Sequence, residues 1–273
     1  MTSARSAFAD PDRLPPEIHA VLVAALDRMA ADPAIQRVRR VAAEALDPRP
    51  GQRLLDVGSG AGEVARQLAA RVAPDGDVVA VDLSATTVAL AAGRHDGSRV
   101  RYATGDVAAL DFPDATFDGV RAERVLQHVA DPDAAVAELA RVTRAGGRVC
   151  LVDTDWESIA VDGLPSDLVT RVREAAFSAV PGHHADMGRT LRRRQVRAGL
   201  APVGCEPVPL CFTTPEAASA VIPLFNRDVP RDVGMLPPEL WDPWFAAVEA
   251  AAARDEFLAV LTIWVATAIR PLP

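Results

Sequence analysis

The chain has 273 residues and a formal net charge of −8. That length allows one large domain, or a domain with a substantial insertion, and so acidic a chain lacks the basic face that a nucleic-acid partner usually requires. All 29 basic side chains are arginine, which excludes a lysine-bearing phosphate loop and any Schiff-base chemistry. Cys150, Cys205 and Cys211 fit neither a disulfide framework nor a zinc pattern, and read as small core residues of a reducing, cytoplasmic protein. The N-terminus is charged, is broken by Pro15 and Pro16, and has no apolar signal core. The longest apolar run, from Phe257 to Ile269, falls short of the roughly 20 residues needed to span a bilayer and reads as a buried strand.

Hydrophobic periodicity and its breakers divide the chain in order. Residues 16–46 carry a helical stripe through Ile18, Leu22, Ala25, Leu26 and Met29, restarted at Pro33 and ended before the break at 48–51. Strands are predicted over Arg53–Val57, Asp77–Leu83, Arg99–Thr104, Phe117–Arg121 and Arg148–Asp153. Helices are predicted over Gly62–Val72, from a Ser84 cap to near His95 and Gly97, and over Pro132–Thr143. Alternation of this kind implies right-handed crossovers and a parallel sheet. After Asp153 it stops. A helix over Ser166–Ala179, a Pro181-Gly182-His183-His184 loop, a helix over Arg189–Ala198 and strands near Val203–Phe212 and Glu256–Ala268 follow. A stretch from about Thr213 to Arg254 carries Phe225, Met235, Trp241, Trp244 and Phe245 among several prolines. The Arg192-Arg193-Arg194 run, beside Arg189 and Arg197, reads as a solvated helix face.

The segment Leu54-Leu55-Asp56-Val57-Gly58-Ser59-Gly60-Ala61-Gly62 reads as a buried strand turning through glycines into a helix. Such a turn lets a ligand approach the backbone closely, and the helix start offers unpaired amides. Asp82 ends the next strand at roughly the spacing, about 20 residues, at which a carboxylate binds ribose hydroxyls in an open α/β sheet. This is a nucleoside-binding half-domain. The dinucleotide fingerprint G-x-G-x-x-G is not met: the third glycine comes one residue early, and Glu63 stands in its place. Carboxylates at Asp56 and Glu63 would repel a pyrophosphate and suit a cationic nucleoside, such as S-adenosylmethionine (SAM).

Asp56-Val57-Gly58-Ser59-Gly60-Ala61-Gly62 resembles the first motif of class I SAM-dependent methyltransferases. Gly105-Asp106-Val107, the Phe112–Asp118 segment, Val125-Leu126-Gln127-His128-Val129 with Asp131-Pro132, and Gly146-Gly147 extend the resemblance over roughly residues 45–153. The set is similar to small-molecule enzymes of the ubiquinone-biosynthesis type and to those that tailor natural products. The resemblance implies a Rossmann-like α/β fold: a mostly parallel seven-stranded sheet with an antiparallel last strand, and helical lid inserts. It implies N-terminal helices covering the cofactor over 1–50, a SAM-binding core over 51–153, and the rest of the sheet over 154–273 with inserts at about 154–187 and 213–255. Trp156, Trp241 and Trp244 fall in these inserts, as an apolar inner wall or as packing for the sheet.

Carried over by position, Asp56, Gly58 and Gly60 line the methionine moiety, Asp82 binds the ribose and Leu83 packs on adenine. Asp106 holds the exocyclic amine, flanked by Gly105 and Val107, and Ala122 offers a backbone contact near the sulfonium. An acceptor hydroxyl or acidic carbon must also lose a proton, and His128 has a side chain suited to that near neutrality; packing or capping is the alternative for it. His183 and His184 could approach from the first insert or sit in solvent, and Asp153 and Asp155 close strand five near the site mouth. Glu123 and Arg124 depart from the small polar residues usual in the family and suggest an internal ion pair. No metal is expected, and the oligomeric state is open. The expected activity is methyl transfer to an oxygen or carbon of a small, largely apolar metabolite. Rivals are a cyclase or pericyclase on the same fold, a nicotinamide-dependent oxidoreductase and a non-catalytic SAM-binding protein.

Overall fold

A computed structural model of the chain describes residues 12, 16–94, 96–178, 184–227 and 236–272. Two helices, α1 (Pro16–Ala31) and α2 (Pro33–Leu46), precede the sheet. The break between them is chemical: Pro33 supplies a first-turn residue without an amide, and Asp32 accepts from Ala34 N at 2.8 Å as the α2 cap. There follow β1 (Arg53–Val57), α3 (Glu63–Val72), β2 (Asp77–Asp82), α4 (Ala85–Gly93), β3 (Val100–Thr104) and β4 (Phe117–Glu123). A short 3-10 turn, Leu126–His128, leads to α5 (Pro132–Val142), capped by Asp131, and then to β5 (Thr143–Asp162). The chain continues through α6 (Ser166–Ser178), α7 (Met187–Arg197), β6 (Ala201–Phe212), α8 (Pro215–Ser219), α9 (Pro238–Ala253) and β7 (Leu258–Ile269).

The seven strands run in the order β3-β2-β1-β4-β5-β7-β6. All neighbours from β3 to β5 are parallel, while β7 is antiparallel to both β5 and β6. The expected Rossmann-like sheet is therefore present, with its reversed last strand inserted one place in from the edge. Central strands are apolar on both faces because both faces are covered. Leu54, Val78, Ala80 and Val152 pack with Ile35, Val38, Ala65 and Leu68 of α2 and α3. The intervening residues Leu55, Val79, Val81 and Val149 pack with Val136 and Leu139 of α5 and Leu191 of α7. The edge strand β6 carries Pro202, Pro207 and Pro209, residues a strand paired on both sides does not accommodate.

Three readings of the sequence are corrected. Strand five does not stop at Asp153; it continues to Asp162, paired with β7 as far as Asp162↔Leu258 across an irregularity between Asp155 and Ala160. The inner-wall reading falls for Trp241 and Trp244, which pack within the core. Trp244 is 1% exposed, stacks on Phe225 and donates its indole N–H to Leu224 O at 2.7 Å, while Trp241 packs on Phe245. Together with Phe257 they form an extension of the core beneath α9. Only Cys150 is buried; Cys205 and Cys211 lie on the exposed side of β6. His95, the loop 181–183 with His183, and Met235 fall outside the described residues.

Candidate functional site at the strand ends

The parallel register places the ends of β1, β2, β3 and β4 side by side. Val57 pairs with Val81 on one side and Ala122 on the other, and Asp82 pairs with Thr104. The glycine turn is fixed to β2 by Gly58 N and Ser59 N, which donate to Val81 O at 2.7 and 3.0 Å. Gly58 and Gly62 both have positive φ, +67° and +77°. A Cβ on Gly58 would collide with Val125, and one on Gly62 would come within 2.6 Å of the Tyr102 hydroxyl, so neither position accepts a side chain. Leu26 of α1 stands 3.9 Å from where a Cβ on Gly60 would be, so α1 lies over the turn.

Asp82 accepts from Gly60 N at 2.9 Å and from Ser84 N at 3.1 Å, bridging the turn and the start of α4. Burial holds its carboxyl above the usual range, opposed by those amide donors and reinforced by nearby Asp12. Leu83, next to it, is 49% exposed, an apolar face left open beside a carboxylate. Gly105 N donates to Asp82 O at 2.9 Å, so Gly105, exposed Asp106 and buried Val107 stand beside Asp82 and Leu83. Asp106 accepts from Ala108 N at 2.9 Å in a local turn. The predicted residues Gly58, Gly60, Asp82, Leu83, Gly105, Asp106, Val107 and Ala122 are thus gathered along one end of the sheet.

Asp56 lies deeper than expected, inside a chain of charges. Arg121 of β4 is 4% exposed and donates from Nη1 to Asp56 Oδ1 at 3.1 Å and from Nη2 to Glu123 Oε2 at 2.5 Å. Arg39 of α2 donates to Glu123 at 3.2 Å and to Glu63 at 2.8 Å. The Arg124 guanidinium packs on Met29 of α1, and its Nε is 3.8 Å from Glu123. Asp56 and Glu63, read from the sequence as bare negative groups at the turn, are balanced by arginines, so repulsion of a pyrophosphate is weaker than the sequence suggested. Burial still raises the Asp56 carboxyl, with Arg121 opposing and Glu123 adding to it. Two buried oxygens here have no partner in the protein: Asp56 Oδ2 and Ser59 Oγ. Arg121 and Arg39 were missed because an arginine within a strand or on a helix reads as a surface residue.

At the ends of β4 and β5 a second group of polar side chains converges. Asp153, 1% exposed, accepts from Thr154 N at 2.9 Å and from Gln127 N at 3.2 Å. The Gln127 side chain accepts the Trp156 indole N–H at 2.7 Å and meets His128 Nε2 at 3.1 Å. His184 reaches the same turn, with its Nε2 3.1 Å from Val129 O. His128 therefore has Nε2 already engaged by Gln127, which weakens its expected role as a proton acceptor at that atom. Asp155 is held by Arg189 in a two-point ion pair, with contacts of 2.6 and 2.5 Å, so it serves the α7–β5 packing and is not a free substrate contact. Arg194 and Arg197 both pair with Asp133, which accounts for two more members of the basic run.

Burial pushes the Asp153 carboxyl up to about 7, against the pull of its two amide donors and Arg124. Its unfolded value is about 3.9, so the native state holds an extra proton between the two. Stability from this group is complete below about pH 3.9 and is lost as pH rises through 7, by up to about 1.4 kcal/mol per pH unit. Asp153→Asn is expected to flatten that slope in urea unfolding measured from pH 4.5 to 8. An unchanged slope would mean that the carboxyl ionises normally.

The sheet order, the reversed seventh strand, and a glycine turn flanked by acidic strand ends define a Rossmann-like, SAM-binding class of protein. Residues 55–151 match the family model described as a methyltransferase domain. The chain is 34% identical over 249 residues to an uncharacterized 37.1 kDa protein in transposon Tn4556 of Streptomyces fradiae, covering 90% of this chain and 70% of that one. It is 39% identical over 108 residues to the 2-phytyl-1,4-naphtoquinone methyltransferase of Synechocystis sp., covering 38% and 45% of the two chains. Its fold matches the crystal structure of the [4+2]-cyclase SpnF with a TM-score of 0.59 at 24% identity, over 88% of this chain and 82% of that one. The chain belongs to the class I SAM-dependent methyltransferases, and its cofactor is SAM. Its match to the Synechocystis quinone methyltransferase spans less than half of that protein. Among the described residues, no helix is long and apolar enough to cross a membrane.

Proposed function

We propose that this chain transfers the methyl group of SAM to an oxygen or carbon of a small, largely apolar metabolite. The setting would be quinone-like biosynthesis or secondary metabolism in the cytoplasm. The observation that carries the reading is a pair of unpartnered buried oxygens, Asp56 Oδ2 within β1 and Ser59 Oγ on the glycine turn, at the strand end where open α/β sheets take their ligands. A cationic amino-acid moiety satisfies them. Asp82 would take the ribose hydroxyls and Leu83 one adenine face. Asp106 would take the exocyclic amine between Gly105 and Val107, with Gly58, Gly60 and the Ala122 backbone along the methionine end. SAM supplies an activated methyl carbon; the protein's part is to align an acceptor with it, which can contribute about 7–11 kcal/mol of the barrier. The similarity to a protein named for a naphthoquinone substrate supports a quinone-like acceptor.

The test is calorimetry with SAM and with NAD, followed by a labelled-methyl screen against hydroxylated quinones and polyketides. SAM alone is expected to bind, and an acceptor is expected to gain one methyl group. A product isomeric with its substrate would instead point to a cyclase, and binding of NAD without SAM would sink the reading.

A further inference from the structure

We propose that His184, and not His128, takes the proton from the acceptor; this rests on the methyl-transfer reading above. Hydrogen-bond direction carries the inference. A backbone carbonyl only accepts, so the 3.1 Å contact from His184 Nε2 to Val129 O places a hydrogen on Nε2. A neutral imidazole carries one N–H, and Nδ1 of His184 therefore keeps its lone pair.

His128 carries the opposite tautomer. The Trp156 indole N–H can only donate, and it donates to Gln127 Oε1 at 2.7 Å, which fixes the Gln127 amide with Nε2 as its donor. That donor faces His128 Nε2 at 3.1 Å, so His128 Nε2 accepts and its hydrogen sits on Nδ1. One amide rotamer, locked by a buried tryptophan, thus commits the Nε2 lone pair of His128.

The backbone holds His184 in place. Its N–H donates to Gln127 O at 3.1 Å, its carbonyl accepts from Met187 N at 3.1 Å, and the next residue, Ala185, accepts from Trp156 N at 2.8 Å. The Leu126–His128 turn, β5 and the start of α7 are thus bonded to the backbone at His184 and Ala185, past the carboxyl ends of β4 and β5 where the acceptor would lie. In the step itself, His184 Nδ1 takes the acceptor's O–H or C–H proton and becomes imidazolium. The electron pair so released forms the bond to the methyl carbon, and the C–S bond breaks with its pair going to sulfur. The imidazolium then returns its proton to water.

Two measurements test this. Nitrogen-15 spectra of the labelled protein with SAM bound read the tautomers directly. His184 is expected to carry hydrogen on Nε2, and hydrogen on Nδ1 alone would overturn the assignment. Second, His184→Gln keeps an N–H donor for the Val129 carbonyl but has no basic nitrogen. With 1,4-naphthohydroquinone as acceptor, it is expected to lower kcat by about 10²–10⁴-fold, with the Kd for SAM and the melting temperature close to wild type. An active wild type with an equally active His184→Gln overturns this assignment alone. A wild type that binds SAM but methylates no hydroxylated quinone or polyketide overturns the proposed acceptor class and this assignment with it.

Discussion

Glu123→Ala is expected to lower the unfolding free energy by about 3–5 kcal/mol, the range for removing one partner of a buried ion pair. Glu123 ends β4 and its side chain is 8% exposed. It receives Arg121 at 2.5 Å and Arg39 at 3.2 Å, with Arg124 at 3.8 Å. Taking it away leaves three guanidinium groups against only Asp56 and Glu63, in a region with little water to solvate the surplus. Burial alone would raise the Glu123 carboxyl, but Arg121, Arg39 and Arg124 outweigh it and hold it at about 2. Because the folded value lies below the unfolded one, about 4.3, this stabilisation is present above about pH 4.3 and is lost as pH falls toward 2. Urea unfolding at pH 7 measures the loss. A change below about 1 kcal/mol would put the pair in the class of weak, solvated contacts.

Asp82→Ala is expected to weaken SAM binding by about 1.5–3 kcal/mol, or roughly 10- to 150-fold in Kd, the usual size of hydrogen bonds to a charged group. Two effects act together. The carboxylate that would face the ribose hydroxyls is lost, and the amides of Gly60 and Ser84, which it accepts at 2.9 and 3.1 Å, are set free. The second effect loosens the glycine turn that would hold the methionine moiety. Titration calorimetry reads the change, and an affinity within twofold of wild type would remove Asp82 from the cofactor site.

Much of this arrangement is legible in the chain because short-range chemistry writes it. Runs such as Val78-Val79-Ala80-Val81 mark strands buried on both faces, and Ser84 and Asp131 mark helix starts by offering side-chain acceptors to first-turn amides. The gathering of Asp82, Leu83 and Asp106 follows from strand order, which the Gly58–Gly62 motif brings with it. What escaped the sequence depends on distant partners. The continuation of β5 past Asp153 has Glu157 and Ser158 in its irregular stretch, and it is held by β7 on either side of that stretch and by Ala185, which accepts from Trp156 N. Arg121 is tolerated inside β4 because Asp56 and Glu123 arrive from the neighbouring strand and from two residues along. The tautomers proposed for His128 and His184 rest on Trp156, acting through Gln127, and on Val129, partners distant in the sequence from the histidines they act on.

The two N-terminal helices are tied down differently among the described residues. Helix α2 is riveted through Arg39 to Glu63 and Glu123, so lifting it would strand two carboxylates in an apolar interior. Among the described residues, helix α1 is held by the packing of Met29 against Arg124 and by the Asp27–Arg94 pair, 2.6 Å long but partly exposed and screened by salt. A joint already exists between them at Asp32 and Pro33. Rising ionic strength is therefore expected to loosen the hold of α1 at that joint before that of α2.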